Sequence, residues 1–260
     1  MTLAPSKLLT AADTAFSIAA VRAEEGARPG PERLFEDPYA GLFRALGAHA
    51  EDGTQRYLAL PFFRDGIRLR TRFIDDVLRS SLDEGIDQIL LLGAGFDTRA
   101  LRIAEIAARG ARVHEIDLPD QLARKRAVLE EAGVALPSWI SYIACDLTAP
   151  DYELASTAAL EDAGFRRDRP AVIVWEGVTT YIGVAATDRS LRFLASLAAA
   201  GTTVVFDVGA RFFPATIDEH VARAGFSSCD ALGADELWRR YLSGEPHPAA
   251  GVFRMVVARR

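Results

Sequence analysis

The sequence predicts an α/β fold: a mostly parallel sheet with helices on both faces and a helical segment in front of it. Three observations predict it. From residue 86 onward, short β-rich runs alternate with helical stretches. Most of those runs are apolar throughout, which marks strands covered on both faces. The first, "QILLLGAGFDTRALRI", passes from an apolar stretch through Gly93-Ala94-Gly95 into helix-forming residues. A glycine turn between a buried strand and a helix is where such folds bring backbone close to a ligand.

Residues 1–85 read as helices, a cap belonging to the same domain as the core formed by residues 86–260. Thr10 and Asp13 are spaced as a capping box before "TAFSIAAVRAEE", where Ala12, Phe16, Ala19 and Ala23 share a face. "ARPGPER" is a loop. In "FEDPYAGLFRAL", Asp37 and Pro38 suit the N-cap and first helical position. A longer helix starts after Pro61 and ends near Gly85. Next, "QILLLG", "ARVHEID", "WISYIACD", "PAVIVWEG" and "TTVVFDVG" read as strands. Between them lie the helices "TRALRIAEIAARG", "LPDQLARKRAVLEEAG", "YELASTAALEDAG" and "TDRSLRFLASLAAAG". A helix "TIDEHVARAGF", a weaker strand "SSCDAL" and a terminal strand "VFRMVVARR" close the chain. A loop is expected before the last strand, which makes the last two strands an expected antiparallel edge pair.

Composition bounds the function. The chain has 260 residues, 50% hydrophobic and 25% charged, enough for one domain with an ample core. A formal net charge of −6 argues against nucleic acid or an anionic membrane as main partner. The two cysteines, Cys145 and Cys229, have no metal-type spacing, so neither a metal site nor a disulfide framework is expected. The N-terminus reads as a poor signal peptide, and no apolar run approaches the ~18 residues of a membrane span. A cytoplasmic protein acting on a small molecule is expected, and the sequence leaves open whether it is a homo-oligomer.

In open α/β sheets the ligand sits at the carboxyl ends of the strands, where strand order reverses. Four strands end here in Gly93-Ala94-Gly95, Glu115-Ile116-Asp117, Cys145-Asp146-Leu147 and Trp175-Glu176-Gly177. Asp117 stands about 20 residues after the glycine turn, the spacing at which an acid meets a ribose diol. Asp146 and the Leu147 backbone suit an adenine edge. Each has a blander reading: a plain turn for the glycines, helix caps for Asp117 and Asp146, and a solvated rim charge for Glu176.

The set reads as an adenosine site. A nicotinamide dinucleotide wants a third glycine three positions after the second, to seat its pyrophosphate. Thr98 occupies that position, next to Asp97, which would repel a phosphate. The turn suits S-adenosylmethionine, an adenosine without phosphate. Its carboxylate needs a cation, and Arg70 falls in the apolar stripe of Phe63, Ile67, Ile74 and Val77. A bidentate carboxylate matches a buried guanidinium. The alternatives are a stem that snorkels over the sheet and a pair with an internal acid.

"LLLGAGFDTRALRI", "HEIDLPDQLARKRAVL" and "WEGVTTYI" together resemble the motifs of the leucine carboxyl methyltransferase-like family, which includes bacterial O-methyltransferases of secondary metabolism. "RAEE…LFEDPYA" and "LRTRFIDDVL" are similar to its opening helices. The resemblance implies a class I methyltransferase fold, Rossmann-like and seven-stranded with the last strand antiparallel, and S-adenosylmethionine as methyl donor. It implies that Arg70 holds the methionine carboxylate and that Gly93, Ala94 and Gly95 line the methionine portion. Asp117 would take the ribose, Asp146 and Leu147 the adenine, and Glu176 the methionine end. Tyr181 would face the acceptor as the candidate catalytic residue; its bland reading is a core aromatic.

Many relatives carry a lid insertion after the fifth strand, where this chain has only "GARFFPA". The lysine of phosphatase methylators has no clear counterpart, and Arg22 is the nearest guess. His49, His114, His220 and His247 show no pairing pattern, and only His114 is expected near the rim. Without an evident base, an acceptor already ionised at neutral pH is favoured, a carboxylate or an acidic hydroxyl. An NAD-dependent dehydrogenase and a catalytically inactive cofactor-binding partner protein are the alternative readings.

Overall fold

The computed structural model describes residues 11–47, 58–60, 62–197, 199–209 and 216–260. Seven strands form one sheet: β1 (Gln88–Leu92), β2 (Arg112–Asp117), β3 (Ile140–Ala144), β4 (Val172–Trp175), β5 (Thr203–Gly209), β6 (Ser228–Gly233) and β7 (Phe253–Arg259). Their order is β3-β2-β1-β4-β5-β7-β6. β1 to β5 run parallel, while β7 runs antiparallel to both β5 and β6. The order reverses between β1 and β4, so the carboxyl ends of these two strands and of β2 frame the crevice where α/β sheets bind ligands.

The sheet is covered on both faces because its strands are apolar on both. Leu90, Leu92, Ile173, Trp175, Val204 and Phe206 face one layer, built around Tyr152 and Leu160 of α7 (Tyr152–Asp162) and Leu191, Leu194 and Leu197 of α8 (Thr179–Leu197). Ile89, Leu91, Val172, Val174 and Val205 face the other, where α3 (Phe63–Asp83) brings Leu69, Phe73, Ile74, Leu78 and Leu82. Each such side chain contributes roughly 1.5–3 kcal/mol by leaving water. The i, i+3, i+4 spacing along α3 keeps one stripe on the sheet, and Arg70 lies within it.

The first helices pack onto the glycine turn itself. Phe16 and Ala19 of α1 (Ala11–Glu25) and Phe43 of α2 (Ala40–Gly47) enclose Phe96, whose ring stacks on Phe43 with centroids 4.6 Å apart. The turn that ends β1 is thereby roofed by α1 and α2. The expected capping box of Thr10 and Asp13, Ala12's place on its face, His49 and the "GARFFPA" connection lie outside what is described. No described helix is long and apolar enough to cross a membrane.

Four expectations change. "TRALRIAEIAARG" is two short helices, α4 (Arg99–Arg102) and α5 (Ala104–Ala108), separated by extended backbone at Ile103. The break lets Arg99 and Arg102 reach Asp75 while Ile103 and Ile106 both enter the core. α2 starts at Ala40, later than expected, and Asp37 still caps it by accepting the N–H groups of Tyr39 and Ala40. α8 begins at Thr179, ahead of the expected helix, and kinks at Gly183, whose φ is 74°. Finally, a helix, α10 (Ala234–Tyr241), precedes β7 where a loop was expected. Glu236 accepts the Gly233 N–H at 2.7 Å to start it, and Ala234 and Leu237 supply its buried side. β7 consequently lies between β5 and β6, and β6 forms the edge.

Candidate functional site

A cavity of about 380 Å³ opens at the carboxyl ends of β1 to β4. The glycine turn forms its floor. Gly93 and Ala94 both donate to the Ile116 carbonyl, at 2.8 and 3.0 Å, which folds the chain back over β2. Gly93 has φ +69°, and a Cβ there would stand 2.7 Å from Val178 Cγ2, so backbone alone fits. Gly95 donates its N–H to Asp117 Oδ2 at 2.6 Å, and Leu118 donates to Oδ1 at 2.7 Å. Asp117 therefore ties the turn after β1 to the entrance of α6 (Pro119–Glu131) while lining the cavity. Burial raises its carboxyl pKa, and the two backbone donors oppose that rise.

Asp146 and Leu147 line the same wall after β3. Asp146 is exposed and accepts from the Thr148 N–H at 2.8 Å and hydroxyl at 2.6 Å, which lowers its pKa. Asp146 thus closes a turn at Thr148 and does not cap the next helix, which starts at Tyr152 after Asp151, and it lines the cavity.

On the opposite wall is a chain of ion pairs that sequence reasoning largely missed. Arg70 Nε meets Glu176 Oε1 at 2.8 Å, and its Nη1 meets Asp207 Oδ2 at 2.9 Å. Asp207 Oδ1 accepts the Gly177 N–H at 2.6 Å, binding β5 to the turn after β4. Glu176 Oε2 accepts from Arg99 at 2.6 Å, and Arg99 also pairs with Asp97 and, at 2.8 Å, with Asp75. Asp75 pairs with Arg102, which approaches Asp37, the partner of Arg22 at 3.1 Å. Arg22 also donates to the Phe96 carbonyl. Four guanidiniums and five carboxylates thus connect α1 to β5 beneath the cavity, with one carboxylate in excess.

This corrects the reading of Glu176 as a solvated rim charge, since its side chain is only 10% exposed. Burial alone would push its carboxyl up, but Arg99 and Arg70 reverse this and hold it far below the usual range. Burial likewise opposes the charge on Arg70, and Asp207 and Glu176 outweigh it. The internal-acid partner weighed for Arg70 therefore exists. Yet Arg70 Nη2 is buried without a hydrogen-bond partner, beside Gly177 at the cavity wall. An unpaired buried donor is costly, and a ligand acceptor would relieve it.

The mouth is lined by Thr14, Ala15 and Ile18 of α1 with Val178, Tyr181 and Ile182. Tyr181 is 40% exposed and its hydroxyl hydrogen-bonds that of Thr14, joining α1 to α8. It is not the core aromatic of the bland reading. Two histidine expectations fail. His114 lies buried in β2 edge-on to Phe165, away from the cavity, because the β2 side chain at that position points into the core. His220 contacts Asp188 at 2.5 Å across α9 (Ile217–Ala224) and α8, so one histidine does have an acidic partner.

Strand order, the reversed β7 and a glycine-and-carboxylate rim define a class I methyltransferase. The comparisons with known proteins agree. The family model described as leucine carboxyl methyltransferase matches residues 15–195. A protein of Frankia alni named "putative S-adenosyl-L-methionine-dependent methyltransferase" is 38% identical over 201 residues, covering 75% of this chain and 67% of that protein. One of the same description from Streptomyces coelicolor is 35% identical over 208 residues, covering 76% and 69%. Another, from a Parafrankia strain, is 35% identical over 202 residues, and the match spans only 62% of its length. A crystal structure titled as a putative methyltransferase from Thermobifida fusca superposes with a TM-score of 0.61 at 18% identity, covering 100% of this chain and 99% of that one. This chain belongs to the leucine carboxyl methyltransferase family, whose members use S-adenosylmethionine.

Proposed function

We propose that this protein transfers the methyl group of S-adenosylmethionine to a carboxylate or acidic hydroxyl oxygen of a small molecule of the secondary-metabolite kind, in the cytoplasm. The observation that carries the reading is the pairing of unmet needs around one cavity. Arg70 Nη2 lacks an acceptor, and the network behind it has one carboxylate in excess. S-adenosylmethionine brings a carboxylate to the first, and its ammonium and sulfonium give it a net positive charge for the second. A dinucleotide's anionic pyrophosphate could accept from Arg70 but would add to the excess of negative charge rather than offset it.

When bound, the cofactor supplies a methyl activated by the sulfonium. The chain's residues then hold and aim. Arg70 takes the carboxylate, Glu176 the ammonium side and Asp117 the ribose, with Gly93, Ala94 and Gly95 beneath. Asp146 and Leu147 meet the adenine edge. Such positioning contributes roughly 7–11 kcal/mol to bimolecular reactions. On the acceptor side, Ala15, Ile18, Val178 and Ile182 exclude water, and the Tyr181 and Thr14 hydroxyls orient an oxygen. An acceptor that arrives ionised needs no base from the chain.

Incubation with methyl-labelled S-adenosylmethionine and a panel of carboxylic acids, phenols, enols and amines tests the proposal. Label should enter an oxygen-linked product, and its loss in alkali would mark an ester rather than an ether. Transfer to nitrogen or carbon acceptors alone would overturn it. Tight cofactor binding with no transfer to any acceptor would point to an inactive binding partner.

A further inference from the structure

One polar group in the cavity has no role in the site described so far. Gln121 lies in the first turn of α6, one helical turn before the buried Lys125, and lines the cavity beyond Asp117 and Leu118. Its side-chain Nε2 is buried and has no hydrogen-bond partner. Its own backbone N–H is already used by the Leu118 carbonyl at 3.0 Å, so the helix start is complete without the side chain. A buried amide nitrogen with no acceptor costs about as much as a lost hydrogen bond, which makes an acceptor arriving with the ligand the economical reading.

The neighbouring carboxylate says what that acceptor is. Each Asp117 oxygen accepts one backbone N–H, from Gly95 and from Leu118, and Asp117 lines the cavity with a lone pair to spare on each oxygen. A vicinal diol meeting Asp117 donates its hydroxyl hydrogens to those lone pairs. Its own oxygens are then acceptors in need of a donor. Asp117 is acceptor-only when ionised and cannot provide one. Gln121 Nε2 can.

Resting on the S-adenosylmethionine reading, we propose that Gln121 is a cofactor-binding residue that donates its amide N–H to a ribose hydroxyl oxygen, completing with Asp117 a donor-and-acceptor clamp on the diol. Asp117 reads the hydroxyl hydrogens and Gln121 reads an oxygen. The clamp recognises ribose and disfavours a deoxyribose in its place.

Calorimetric titration of wild type, Gln121→Met and Gln121→Glu with S-adenosylmethionine, adenosine, 2′-deoxyadenosine and 3′-deoxyadenosine tests this. Methionine keeps the length of the side chain without the donor. It should weaken S-adenosylmethionine and adenosine roughly fivefold, the worth of one neutral hydrogen bond. For one of the two deoxynucleosides the same substitution should cost nothing, because the acceptor oxygen is already gone. Gln121→Glu, which removes the donor and sets a second carboxylate near Asp117, should weaken adenosine more than Gln121→Met. If Gln121→Met weakens all three nucleosides by one common factor, or none of them, the clamp is wrong while the cofactor reading stands. If wild type binds neither S-adenosylmethionine nor adenosine, the cofactor reading falls and the clamp with it.

Discussion

The Arg70 guanidinium is held between Glu176 and Asp207, 2.8 Å from one and 2.9 Å from the other, with its third nitrogen unpaired at the cavity wall. Two acids thus fix the plane of the fork and leave one edge for a ligand. Lysine at position 70 keeps a charge but can neither span both acids nor present the remaining N–H. Arg70→Lys should weaken S-adenosylmethionine by ~1.5–3 kcal/mol, the worth of a charged hydrogen bond, and leave adenosine binding within about twofold. Titrating both ligands into both proteins checks it, and an equal loss for the two would make Arg70 structural.

Asp207 predicts a stability effect instead. It accepts from Arg70 and from the Gly177 N–H while 5% exposed. Asp207→Ala leaves Arg70 paired with Glu176 but strips the acceptor from its Nη1 and from the Gly177 N–H, and two unmet buried donors should cost ~2–5 kcal/mol. Denaturant unfolding of the variant should show that loss. A change below about 1 kcal/mol would show that the network relaxes around the gap.

Asp117→Asn tests folding and ligand binding together. Asparagine keeps one acceptor oxygen for the two backbone donors of Gly95 and Leu118 and sets its NH2 against the other. The fold should survive, with a melting temperature lowered by the loss of the ~1–3 kcal/mol of one unmet hydrogen bond. The affinity for S-adenosylmethionine should nonetheless fall by roughly ten- to a hundredfold, because charged hydrogen bonds to the ligand are lost. Scanning calorimetry with and without the cofactor reads both quantities. An unchanged ligand shift would reduce Asp117 to a tether between Gly95 and Leu118.

His114 makes stability depend on pH. It is 1% exposed, both ring nitrogens lack partners, and burial, followed by the nearby Arg112 charge, lowers its pKa to about 4. A depressed folded-state pKa contributes stability that is whole above the unfolded value near 6.5 and is lost as pH falls from there towards 4. The loss amounts to about 3 kcal/mol by the lower end of that window. Unfolding free energies across this range should show the decline in wild type and a shallower one in His114→Phe. Parallel curves would assign the acid sensitivity to other groups.

Much of the fold was legible because strand and helix periods are written in apolar residues, and all seven strands stand where their runs predicted. α10 was not, since its apolar residues, Leu237 and Trp238 among them, are too few to stand out between two strands. The cavity brings together the strand-end residues given a cofactor role, Gly93, Ala94, Gly95, Asp117, Asp146, Leu147 and Glu176, along with Arg70 and Tyr181. What was missed are partnerships across long separations, such as Arg70 with Asp207 or Arg22 with the Phe96 carbonyl. A signal did exist: Asp207 interrupts the otherwise apolar "TTVVFDVG", and a carboxylate inside a buried strand needs a cation. Gln121 carried no such signal, because a polar residue in the first turn of a helix is ordinary until its amide is seen to be enclosed.

The most direct test of the central claim is a calorimetric titration of the purified protein with S-adenosylmethionine, with NADH as the comparison. The account predicts one S-adenosylmethionine site per chain and no heat of binding from NADH, whose pyrophosphate would meet Asp97 and a network with a carboxylate in excess. Binding of NADH without S-adenosylmethionine would contradict it.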